Sequence, residues 1–201
     1  MKKLYFPFIV SGMLLMTACG SSDKSADNTS SEVSKEDADR YAKEIADWID
    51  FSDNDGAFSV KLPGKPTPNS QTQPTAVGNI KIEMFLYEES ATKAYMVGYN
   101  DFPSAMMEDA DQELLESMID GGLDGVKNSI GLDVVDEIKE VRLGEAYGKM
   151  IKAKSTTSGL HLHYKAYVHK NRLYQVGVMR DGSYPVDAKT EAFFGSFKIK
   201  G

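Results

Sequence analysis

Between residues 134 and 180 the chain carries four segments of extended character, 134–142, 146–155, 159–169 and 172–180. In the third, Leu160, Leu162, Tyr164, Ala166 and Val168 alternate with His161, His163, Lys165, Tyr167 and His169. A period of two marks a strand, because successive side chains point to opposite faces. The links at 143–145, 156–158 and 170–171 are too short for a crossover helix, so neighbouring strands run antiparallel. Asn171 suits the tight turn between the last two. This run commits the chain to an antiparallel sheet and constrains everything placed around it.

The flanking sequence supplies the other elements. Phe58-Ser59-Val60-Lys61-Leu62 alternates and stops at Pro63-Gly64, which predicts a short strand and a turn. Residues 65–77 are rich in Pro, Thr, Gln and Asn and are expected to form a loop. Ile80, Ile82, Met84 and Leu86 alternate with Lys81, Glu83, Phe85 and Tyr87, and 93–99 forms the second arm of a hairpin. Residues 105–129 place Met107, Ala110, Leu114, Met118, Ile119, Leu123 and Val126 at helical spacing, with Ser104 as cap and a break expected at Gly121-Gly122. Asp187 starts a short helix through Phe194, and Phe197–Ile199 closes the chain. The order β-β-β-α-β-β-β-β-α predicts an α+β domain, an antiparallel sheet flanked by helices, over residues 56–201.

The N-terminus belongs to a different class of segment. Lys2 and Lys3 precede an apolar run, Leu4–Met16, and the small residues Thr17 and Ala18 stand before Cys19. These are the three parts of a secretory signal, expected over 1–18. Leu15-Met16-Thr17-Ala18-Cys19 resembles the bacterial lipobox, which implies a lipidated Cys19 that binds the chain to a membrane. Gly20 stands where an aspartate often signals inner-membrane retention in Gram-negative lipoproteins. The expected location is therefore the cell envelope, at an outer membrane facing the periplasm in a Gram-negative host. Cys19 is the sole cysteine, so lipidation leaves the mature domain without a thiol, a disulfide or a thiolate metal site.

Residues 19–34 are polar and acidic and cannot bury enough surface to fold alone, so a flexible tether is expected, with a root-mean-square reach of about 20 Å. Residues 35–50 follow as an amphipathic helix in which Ala38, Tyr41, Ala42, Ile45, Trp48 and Ile49 share a face that packs on the domain. Charge follows these divisions: residues 1–18 carry +2, residues 19–55 carry −7 and residues 56–201 carry −2, which together give the chain's −7. A nearly neutral domain lacks the basic footprint of nucleic-acid binding.

Four segments of the domain resemble the PsbP-like superfamily. They are Phe58-Ser59-Val60-Lys61-Leu62-Pro63-Gly64-Lys65-Pro66, Tyr95-Met96-Val97-Gly98-Tyr99-Asn100-Asp101-Phe102-Pro103, Arg172-Leu173-Tyr174-Gln175-Val176 and Phe193-Phe194-Gly195-Ser196-Phe197-Lys198, in that order. The resemblance spans 56–199 and implies an α-β-α sandwich. It also implies binding or assembly in place of catalysis, as in a thylakoid photosystem subunit, a nuclear-transport cofactor and many bacterial envelope lipoproteins. It carries over no catalytic motif, and a fold hosts many functions.

The best candidate for chemistry is His161-Leu162-His163. The two imidazoles share one strand face with Lys165, Tyr167 and His169, and such a pair can supply two ligands to zinc or copper. Alternation alone already explains the pattern as a solvated polar face, which is the favoured reading, and Lys165 repels a cation. Asp109, Asp111, Glu113 and Glu116 lack the glycine turn of a calcium loop, and Met106-Met107 reads as helical core. No catalytic triad, phosphate loop or zincin helix is present in the sequence. The expectation is a non-enzymatic, cofactor-free lipoprotein that binds envelope proteins. The alternative is a metal- or small-ligand-binding lipoprotein using the His161/His163 face.

Overall fold

The computed structural model describes residues 35–53, 55–75, 78–107 and 110–200. The signal segment, Cys19 and the tether lie outside the described residues.

Among the described residues, ten strands form two antiparallel sheets. The larger has the order β3-β4-β5-β9-β8-β7-β6, with β3 Thr67–Thr75, β4 Gly78–Ser90, β5 Lys93–Asp101, β6 Val134–Leu143, β7 Ala146–Lys154, β8 Leu160–His169 and β9 Arg172–Asp181. The smaller has the order β1-β2-β10, with β1 Ile49–Ser52, β2 Phe58–Leu62 and β10 Lys198–Ile199. The four segments from 134 onward form the antiparallel run that their short links require. The pairing of β5 with β9, from Lys93↔Arg180 to Asp101↔Arg172, joins that run to the earlier hairpins.

Each face of the large sheet has its own core. Helix α2, Gln112–Ile130, lays Met118, Ile119, Leu123 and Val126 over Ile151, Leu162, Tyr164 and Leu173. The opposite face carries Tyr95, Val97, Tyr99, Val176 and Val178, covered by Phe58, Val60 and Leu62 of β2 and by Phe193 and Phe194 of helix α3, Ala188–Ser196. Burying one such side chain contributes about 1.5–3 kcal/mol. The second covering layer is thus a small sheet with one helix. The molecule is mostly antiparallel strand with few helices, and a sheet flanked by helices alone does not describe it.

Three expectations are corrected. Residues 65–77 are not a loop: Thr67–Thr75 pairs with β4 in continuous register from Thr67↔Leu86 to Thr75↔Gly78. As an outer strand β3 needs no alternating apolar face, and an outer position tolerates Pro68 and Pro74. The first helix, α1, spans Lys35–Glu44 and does not continue to residue 50, because Ile49–Ser52 pairs with β2. Trp48 then packs edge-on against Tyr95, with ring centroids 5.3 Å apart.

The third correction concerns α2. Residues 104–107 form a separate 3₁₀ turn, and the helix begins after Asp111, whose carboxylate accepts the Leu114 amide at 2.9 Å. It runs unbroken through Gly121-Gly122. A Cβ on Gly122 would lie 2.6 Å from Leu173 Cδ2, so the absent side chain lets helix and sheet approach closely. Helix α3 begins at Asp187 as expected, with Asp187 accepting the Thr190 amide at 2.9 Å.

Candidate functional site

The histidine strand is packed on both faces, so the solvated face expected for His161, His163, Lys165, Tyr167 and His169 is a further correction. His163 is 4% exposed, donates from Nδ1 to the Pro185 carbonyl at 3.2 Å and meets the Phe194 ring at 4.7 Å. Burial depresses its pKa to about 4, against the opposing pull of the Pro185 carbonyl. His161 turns to the Gly159 carbonyl at 2.9 Å and to the edge of Tyr184. Lys165 lies over the Phe194 ring, its pKa lowered by burial, and Tyr167 stacks on Phe197. The two imidazoles therefore share a face, but their Nδ1 atoms are bonded to separate backbone carbonyls. Among the described residues, no three His, Cys, Asp or Glu side chains converge as a metal site.

A polar concavity of about 370 Å³ lies at the end of the sheet where β5 stops and β9 starts. Its frame is Arg172, which faces Asp101 directly across the β5–β9 pairing and donates to both carboxylate oxygens, from Nη2 at 2.9 Å. The guanidinium also lies 4.0 Å from the centroid of the Tyr99 ring. Bidentate pairing combined with stacking fixes an arginine more firmly than either alone. Tyr99 donates its hydroxyl to Asp55 at 3.1 Å, and Tyr174 donates to the Ala57 carbonyl at 3.4 Å. Burial raises the pKa of both tyrosines, which remain donors.

The opposite wall is the β8–β9 turn. Asn171 clasps Phe102, amide to carbonyl at 2.8 Å and carbonyl to amide at 2.9 Å. Lys170 holds φ at +54°, the one described non-glycine residue in the left-handed region. Lys200 closes a third side, with Nζ donating to Ser52 Oγ at 3.1 Å. None of the residues around this concavity was a sequence candidate; His169, on its wall, was noted only as sharing a strand face with His161 and His163. The available signal was a lysine at a two-residue turn, where Gly or Asn is usual.

A second, apolar depression of about 260 Å³ lies on the other face of the sheet, where α2 leaves β4 and β5 incompletely covered. Its floor is Met84, Met96 and Met179, with Leu86 and Val126 beside them. Among the described residues no helix is long and apolar enough to cross a membrane.

These features define a mainly antiparallel domain with two separate concavities. Its fold is PsbP-like: the chain is similar to the solution structure of cyanobacterial PsbP (CyanoP) from Synechocystis sp. PCC 6803, with a TM-score of 0.51 over 76% of this chain and 92% of that one. Sequence identity is 9%, so the likeness is one of fold. No family model matches the chain, and neither does any curated protein sequence.

Proposed function

We propose that this chain is a membrane-anchored envelope lipoprotein whose domain acts as a non-catalytic binding or assembly module. The observation that carries the reading is the polar concavity. Arg172, Asp101, Tyr99 and Asn171 are held by one another and by backbone, which gives a rigid, preorganised surface of the kind binding requires. The PsbP-like fold supports the same reading, and Thr17-Ala18-Cys19 supports anchoring. Confinement to a membrane layer raises the effective concentration of the module for its neighbours. Two or three acyl chains anchor far more firmly than one, at ~0.8 kcal/mol per buried CH₂.

The test is cross-linking of the full chain in native membranes, with mass spectrometry and palmitate labelling. Cys19→Ser is expected to abolish labelling and to deplete the cross-linked neighbours. Labelling that persists in Cys19→Ser overturns the anchor. A turnover activity abolished by one carboxylate substitution, with no reproducible neighbour, overturns the module.

A further inference from the structure

The lysines of the domain fall into two groups. Lys61, Lys81, Lys93, Lys127, Lys139, Lys149, Lys152 and Lys154 each hold a carboxylate within 4.0 Å. Lys170 and Lys200 do not, and neither do Lys65, Lys165, Lys189 and Lys198: among the described residues, no carboxylate lies within ion-pair distance of these six. What sets Lys170 and Lys200 apart from the other four is their place: both stand on the walls of one concavity, together with Arg172.

The backbone supplies a second, independent observation. Lys170 occupies the left-handed region, which costs an L side chain of order 1 kcal/mol and which Gly or Asn fills with less strain. A lysine at a strained position of a clasped turn places its ammonium on the wall of the concavity, beside a guanidinium that Asp101 and Tyr99 hold still.

We infer that the concavity formed by Lys170, Arg172 and Lys200 is a binding site for a phosphoryl group. The fixed charges lining it are three cations and the Asp101 carboxylate, a net +2. That balances a phosphomonoester, which carries about −1.5 to −2 at neutral pH. Guanidinium and ammonium groups are the donors that phosphate chemistry uses; Arg172 gives its Nε–Nη2 edge to Asp101, which holds it in place before ligand arrives. The volume of about 370 Å³ lies within the ~300–1,000 Å³ range of small-molecule sites, leaving room for a modest organic body beside the phosphoryl group. The phosphoryl group belongs to a phospholipid headgroup or to a free phosphorylated molecule. This inference rests on the binding-module reading and gives it a ligand chemistry.

The test uses the full chain in neutral detergent micelles. Inorganic phosphate and glycerol 3-phosphate are titrated by calorimetry, in parallel with micelles doped with phosphatidylglycerol. Saturable binding at millimolar concentration or below is expected. Lys170→Gly and Lys200→Gln should each weaken it about tenfold, the loss of one hydrogen bond to a charged group. Lys170→Arg should retain it. Because glycine suits the backbone at 170, Lys170→Gly should leave the melting temperature unchanged or raised, which separates lost binding from lost folding. Binding of the soluble phosphates identifies a free ligand, and binding of the doped micelles alone identifies a headgroup. Absence of saturable binding in every arm, or binding indifferent to Lys170→Gly and Lys200→Gln, overturns the site. If neighbours are still captured by cross-linking in that event, the site fails and the module stands. If neither occurs, both fail.

Discussion

Lowering the pH should destabilise the domain through His163 before its carboxylates titrate. The imidazole is packed against Phe194, and its pKa is depressed by burial to about 4 from an ordinary 6.5. The folded state therefore binds a proton less readily than the unfolded chain. Stability is complete above the unfolded value and is lost as pH falls from 6.5 toward 4. At 1.36 kcal/mol per unit, the linkage costs about 0.2 kcal/mol at pH 7, about 2 kcal/mol at pH 5 and about 3 kcal/mol once pH is well below 4. Glu137, depressed to about 2 by its contacts with Lys139 and Lys152, adds its own loss only below the ordinary glutamate range. The window between pH 7 and pH 5 therefore belongs largely to His163. The assay is urea unfolding at both values for the wild type and for His163→Gln, which keeps a donor for the Pro185 carbonyl and does not titrate. The wild type should lose roughly 2 kcal/mol more than the variant over this interval. Equal losses in the two proteins would refute the reasoning, because they would mean that the buried imidazole takes up its proton without penalty.

The adjacent glycines of α2 should respond in opposite directions in the same unfolding assay. Gly121 faces open space, so Gly121→Ala should stabilise by about 1 kcal/mol, or ~2–4 °C in melting temperature. At Gly122 the same gain is offset by a contact with the fully buried Leu173, and an overpacking cost of ~1–3 kcal/mol makes Gly122→Ala net destabilising. Zinc titrated into the full chain should bind no more tightly than a surface histidine pair. Sub-micromolar binding lost on replacing both His161 and His163 would reinstate the metal reading.

The sheet was legible where strands are bounded by short turns. Period-two patterning located β6–β9, because a misplaced residue there would move every apolar side chain to the wrong face. Strand β3 was not legible, since Gln, Asn, Ser and Thr side chains on an outer strand carry no burial signal, and its membership depends on the backbone of β4. The histidine face misled for a related reason. His163 and Tyr167 satisfy a polar tip while burying a ring, so a strand covered on both sides spelled the same alternation as one covered on a single side. The concavity around Arg172 was hidden more deeply. Asp101, Lys170 and Lys200 come together only through the β5–β9 pairing and the return of the C-terminus along β2, and nothing local to any of them announces the others. Its one local trace was the lysine in the turn after β8.

The large sheet is open, and its two outermost strands bear on how these chains tolerate crowding. An unpaired strand edge is a template on which another chain can polymerise. On one side Pro68 and Pro74 have no amide to offer a newcomer. On the other, β6 presents Glu137, Lys139, Glu140 and Arg142 and is bent by an irregularity between Val135 and Glu137. Both edges are thus blunted, by missing donors on one and by charge and twist on the other. Molecules gathered at high density on a surface can then lie side by side without zipping into a continuous sheet.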